Sequence, residues 1–141
     1  MSTFTLPGGT LKLVVGTWET RGLYEVWRCE LEKRCRIEWD MPHPDWELYQ
    51  ITSGAVRFQV LNEEFVARAG ELVRIPPYTR HKLEVLEPTT VIHDMGCQIR
   101  LLSLLEDYEA IQTRDPEMLE DPAARAAFLE KYNCFVTYFG L

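Results

Sequence analysis

The chain has 141 residues, 46% of them hydrophobic and 26% charged, which is the make-up of a globular protein able to bury one ordinary core. A net charge of −7 argues against nucleic-acid binding, which normally needs a basic face. No apolar run reaches bilayer-spanning length and no basic-then-apolar segment opens the chain, so an unsecreted, cytoplasmic protein without membrane contact is expected.

Residues 1–9 read as a partly ordered lead-in. From Thr10 to Leu104 the pattern is one of short strands between turn signals, at 10–17, 22–31, 33–39, 46–52, 55–61, 64–68, 71–75, 81–86, 89–95 and 97–104. Alternation is clearest at 55–60, where Val56, Phe58 and Val60 share one face and Ala55, Arg57 and Gln59 the other. Leu61-Asn62-Glu63 and Ala69-Gly70 read as hairpin turns. Strands this short and this evenly spaced predict a β-sandwich or barrel.

After Leu104 the period changes. Leu104, Leu105, Tyr108 and Ile111 recur at helical spacing and predict a helix over 104–114. Asp115-Pro116 and Asp121-Pro122 each set an N-cap acceptor before a proline suited to the first helical position. The second pair opens a helix over 122–132, with Phe128, Leu129 and Tyr132 for packing, and Cys134 to Phe139 returns as a strand or an apolar tail. With no repeat or linker, residues 1–141 read as one domain, a β-barrel over about 10–104 followed by helices over about 104–132. The four cysteines, Cys29, Cys35, Cys97 and Cys134, form no C-x-x-C pair and read as free thiols in or near the core, with a Cys29–Cys35 pairing left open.

The block from His43 to His81 carries the chemistry. In an extended strand His43, Asp45, Glu47 and Tyr49 share one face, opposite Trp46, Leu48 and Gln50. His81 opens a later strand with Leu83 and Val85 in the same parity. Rolled into a small barrel, these strands bring two imidazoles and a carboxylate to one point, a donor set that divalent transition metals prefer. A buried Glu47 carboxylate costs several kcal/mol unless it is paired. An ion would pair it; without one, Arg57 or Arg74 is the expected partner, or Glu47 keeps its proton. His93 and Cys97 have no better than a spacing argument for facing the same interior.

The same block resembles the cupin superfamily. That family's first motif, G-x5-H-x-H-x3,4-E-x6-G, is matched by Met41-Pro42-His43, then Glu47, then Gly54; its second, G-x5-P-x-G-x2-H-x3-N, by Gly70, Pro76, Tyr78 and His81. Met41 stands where the family has its first histidine, Tyr78 where it has a glycine and Val85 where it has an asparagine. The resemblance implies an all-β double-stranded β-helix, the jelly-roll barrel, with a short C-terminal helical segment. It also implies a divalent transition metal (Fe, Mn, Ni or Zn) held by His43, Glu47 and His81. Asp45 and Tyr49, which share a strand face with Glu47, and Tyr78 are the expected ligand-binding residues.

Two functions follow from it. One is a metal-dependent enzyme acting on a small molecule. The other is a metal-free binding or sensing module, because the run from Asp45 to Gly54 together with Leu72 to Pro77 and His81 is also similar to the ligand-binding domain of AraC-type regulators. Barrels of this size cover their sheet edges by pairing, so a homodimer is expected.

Overall fold

The computed structural model describes residues 2–39, 45–96, 101–131 and 136–138. Among the described residues nine strands form: β1 (Thr3–Leu6), β2 (Gly9–Val15), β3 (Tyr24–Leu31), β4 (Arg36–Trp39), β5 (Glu47–Val60), β6 (Glu63–Arg68), β7 (Leu72–Ile75), β8 (His81–Gly96) and β9 (Val136–Tyr138). Two helices, α1 (Leu101–Arg114) and α2 (Pro122–Glu130), lie between β8 and β9 in the chain.

All strand pairs are antiparallel, and their register divides the sheet into two layers. In the first, β1-β2-β3 continues through residues 89–96 of β8 to the start of β5 and then β7. In the second, β9-β4 continues through residues 81–84 of β8 to the end of β5 and then β6. Strands β5 and β8 therefore run through both layers, as the jelly roll requires. The expected segments 46–52 and 55–61 are one strand, and so are 81–86 and 89–95.

The fusion has a local cause. Pairing between β5 and β8 slips between Ile51 and Val56, where Gly54 takes a left-handed φ of 91°. A Cβ on Gly54 would stand 2.3 Å from Thr89 Oγ1 and 2.5 Å from the Pro88 carbonyl oxygen, so only glycine allows this approach. Thr89 pins the bend, accepting from the Ala55 N–H at 3.1 Å and donating to the Glu87 carbonyl at 2.8 Å. The glycine signal marks a bend within a continuing strand rather than a turn that ends it.

Inward positions alternate as strand geometry demands. On β3, Glu25, Trp27, Cys29 and Leu31 are buried; on β5, Glu47, Tyr49 and Ile51; on β8, His81, Leu83, Val85, Val91, His93 and Met95. Trp27 and Phe58 are the largest side chains fully enclosed. Cys29 and Cys35 are buried free thiols, and burial pushes both up to about 12. Cys97 and Cys134 lie outside the described residues.

The helical region starts earlier than the sequence pattern suggests. Leu101 to Leu104, expected to end a strand, form the first turn of α1, because Leu101, Leu104, Leu105 and Tyr108 are buried together at helical spacing. Asp121 caps α2, accepting from the Ala123 N–H at 3.2 Å. Asp115-Pro116 opens only a short 3-10 turn over Pro116–Glu120, in which the Asp115 side chain makes no cap bond. The lead-in forms β1, and β9 adds to the edge of β4.

Candidate functional site

Extended, the 13 steps from Glu47 to Val60 would cover about 40 Å. Val60 pairs with His81, so a flat ribbon of β5 and β8 would hold Glu47 and His81 that far apart. The bend at Gly54 folds the ribbon over, and Glu47 Oε2 comes to lie 2.7 Å from His81 Nε2, one layer facing the other. Both side chains are fully enclosed.

Glu47 is the hub of a larger cluster. Its Oε1 accepts from the Tyr49 hydroxyl at 2.9 Å and lies 3.0 Å from His93 Nε2. The His93 ring stacks on Tyr49, with centroids 4.1 Å apart and planes at 10°. Tyr49 and His93 are direct partners in the β5–β8 register, so pairing itself sets this stack. Tyr49 also meets Phe58 edge-on at 5.4 Å, which closes the apolar side of the cluster.

Hydrogen-bonding capacity fixes where the protons are. His81 Nδ1 lies 3.0 Å from the Thr79 carbonyl oxygen, an acceptor, so Nδ1 carries a proton. Its Nε2 then faces a carboxylate oxygen, also an acceptor, at 2.7 Å. Two lone pairs do not approach so closely unless a proton, held by the ring or by the Glu47 carboxyl, or a metal ion lies on the contact. An Nδ1–H held by a backbone carbonyl, with Nε2 aimed at a carboxylate, is the arrangement of a metal-ligating histidine. In kind, these donors fit a divalent transition metal. Among the described residues, however, no group of three or more His, Cys, Asp or Glu side chains surrounds a common ion position.

Of the six residues singled out from the sequence, the structure brings together Glu47, His81 and Tyr49. His43 lies outside the described residues, as does Met41. Asp45 is buried as its parity requires, but it packs against Gly96, where a Cβ would stand 2.7 Å from Asp45 Oδ1. Tyr78 stands outside the cluster: it is 69% exposed in the turn before β8, with a left-handed φ of 59°. That backbone shape is the one glycine supplies freely, which accounts for a glycine at this point of the family motif.

The expected arginine partners of Glu47 are corrected. Arg57 points outward and pairs with Glu64 at 3.2 Å and Glu84 at 3.5 Å, and Arg74 is exposed. Odd positions of β5 face inward here up to the slip at Gly54, after which even positions such as Val56 and Phe58 do, so the bend turns Arg57 to solvent.

Two further buried polar residues are His93, which the sequence places inside on a spacing argument alone, and Glu25, which it does not single out. His93 had the signal of its parity with Val91 and Met95, but its distance from Glu47 depends on the β5–β8 register. Glu25 had the signal of its parity with Trp27, Cys29 and Leu31. It is 2% exposed, and its carboxyl is pushed up to about 7 by burial, with the Asp45 charge adding to the shift and the Trp27 side chain opposing it.

A family model described as Cupin domain matches residues 27–93. The solved structures that resemble the chain include KdgF from Halomonas sp., at 19% identity and TM-score 0.54 over 64% of this chain and 78% of that one. A cupin-like protein from Thermotoga maritima is 22% identical with TM-score 0.55, over 70% and 74% of the two chains. A predicted oxalate decarboxylase from the same organism is 12% identical with TM-score 0.56, over 67% and 90%. At these identities the likeness is one of fold. No curated protein matches the sequence.

Proposed function

We propose that the chain, whose residues 27–93 match the Cupin domain model, is a member of the cupin superfamily and binds a divalent transition metal (Fe, Mn, Ni or Zn) inside the barrel through His43, Glu47 and His81. There it binds, and as a metal-dependent enzyme acts on, a small polar molecule. The observation that carries this reading is the 2.7 Å contact between Glu47 Oε2 and His81 Nε2 in an enclosed interior, with Nδ1 of the same ring on the Thr79 carbonyl. That contact calls for a proton or a metal ion between the two atoms, and the ring is already turned to present Nε2 to one.

The roles of the chain's own residues follow. The Thr79 carbonyl holds the His81 tautomer and ring angle. The Tyr49 hydroxyl holds the Glu47 carboxylate in one orientation. Phe58 and Trp27 keep the surroundings apolar, which strengthens every charge interaction at the cluster. A bound ion would supply Lewis acidity or, if it is iron, a redox centre.

Metal analysis of protein purified without chelator tests the reading. Near-stoichiometric metal in the wild type, lost in Glu47→Ala and His81→Ala, is the expected result; a wild type without affinity for any of the four metals would overturn it. One observation favours a metal-free sensing module instead, namely that Tyr49, His81 and His93 together already surround Glu47. That reading predicts a small polar ligand bound equally well with and without a strong chelator.

We also read the protein as a homodimer. Among the described residues each layer ends in strands paired on one side, β1 and β7 in one and β6 and β9 in the other. Trp18 and Leu23 are 70% and 68% exposed, as side chains covered by a partner would be in the isolated chain.

A further inference from the structure

Glu47 faces the inside of the first layer. On the outside of the same layer, Lys12 on β2 and Arg28 on β3 are direct register partners, and both point to solvent. We propose that this pair holds the phosphate of a sugar phosphate, whose hydroxyls lie along the neighbouring row of side chains on the same face. The site is separate from the barrel interior and does not depend on the metal-binding reading.

Three observations carry it. First, like charges directly opposite on strands about 4.8 Å apart repel each other. The chain has 22 acidic residues, yet among the described residues Lys12 makes no ion pair. Arg28 has only Glu30, at 3.6 Å. An anion between the two cations removes the repulsion.

Second, the pair opens onto a groove of about 400 Å³ lined by Thr3, Thr10, Lys12, Arg28 and Glu30, all of them polar. That volume falls within the range of small-molecule sites. The planar fork of Arg28 can take two phosphate oxygens and the Lys12 ammonium a third. Thr3, the partner of Lys12 on β1, adds a hydroxyl donor.

Third, the next row across the sheet is polar over four strands. Thr10, Glu30, Thr90 and Ser53 are successive register partners on β2, β3, β8 and β5. A second groove, of about 420 Å³, shares Thr10 and Glu30 with the first and reaches Thr90 and Ser53. Hydroxyls that donate and accept, beside a carboxylate that accepts, match the hydroxyls of a sugar. Inorganic phosphate would fill the first groove alone, whereas a sugar phosphate uses both.

Calorimetric titration of the wild type with glucose 6-phosphate, inorganic phosphate and glucose tests the site. Saturable binding of the ester is expected, tighter than that of inorganic phosphate by about tenfold or more. Lys12→Ala and Arg28→Ala are each expected to weaken the ester by about tenfold or more. No saturable binding of the ester, or unchanged affinity in the double variant, would overturn the site. Equal affinity for the ester and inorganic phosphate would overturn the role of the hydroxyl row.

Backbone amide shifts of the wild type during the same titration need no variant. The largest are expected at Thr3, Thr10, Lys12 and Arg28. Largest shifts at Glu47 and His81 would instead put the ester inside the barrel and overturn the outer site. The ester's affinity is expected to be the same with and without a strong chelator, so a failure of the metal reading leaves this result standing; an affinity lost with the chelator would overturn the outer site.

Discussion

Glu47 and Glu25 are both enclosed carboxylic acids on the inward face of one layer, and both are register partners of Met95, one from β5 and the other from β3. Their surroundings differ. Glu47 meets two imidazoles and a tyrosine hydroxyl. Glu25 has an indole beside it and another acid, Asp45, close enough to raise its pKa. Burial alone therefore does not mark a site. The interior surrounds Glu47 with two imidazoles and a hydroxyl and favours a proton on Glu25, and only the first arrangement suits a cation.

The comparison can be broken most sharply at Glu47. Glu47→Ala removes the enclosed carboxyl that faces His81 at 2.7 Å and His93 at 3.0 Å and accepts from the Tyr49 hydroxyl. A loss of about 3–5 kcal/mol in urea denaturation at neutral pH is expected. A loss below about 1 kcal/mol would mean that the carboxyl is not what holds the cluster together.

Glu25 should behave in the opposite sense. Its carboxyl keeps its proton up to about 7 in the fold, against an ordinary value of 4.5, so between those values the folded state binds more protons than the unfolded chain. This contribution to stability is fully present below pH 4.5 and is lost as pH rises through 7. Glu25→Gln, which mimics the protonated acid, is expected to flatten that part of the stability–pH curve and to stabilise the protein by about 1–3 kcal/mol at pH 8 relative to the wild type. A variant whose curve keeps the wild-type slope over that window would show that Glu25 is charged in the fold.

The smallest effect is expected at Tyr49. Tyr49→Phe keeps the stack on His93 and removes one of the bonds to Glu47, for a loss of about 1 kcal/mol by denaturant titration. A loss as large as that of Glu47→Ala would make the tyrosine, rather than the imidazoles, the main support of the carboxylate.

Much of this was legible in the residues. Parity from Asp45 to Gln50 gave the inward face of β5, and the spacing of Gly54, Gly70, Pro76 and His81 gave the barrel. Less legible were contacts that depend on how a ribbon closes. The signals at Ser53-Gly54 and at Pro88 read as strand ends because a glycine or proline marks a break in pattern without saying whether pairing resumes beyond it. The placement of His93 beside Glu47 follows from the β5–β8 register, which one strand's alternation does not contain. Glu25 was hidden for a different reason. Glutamates on strands usually face water, and only its parity with Trp27 argued otherwise.

The central claim, that the barrel is built around a cation at Glu47, is tested most directly by thermal unfolding of chelator-stripped protein with and without added Mn, Ni, Zn or Fe(II). At least one of these metals is expected to raise the midpoint of the wild type and, by the same increment, that of Glu25→Gln, while leaving Glu47→Gln unmoved. A midpoint that no metal raises in the wild type, or that rises equally in Glu47→Gln, would contradict the account.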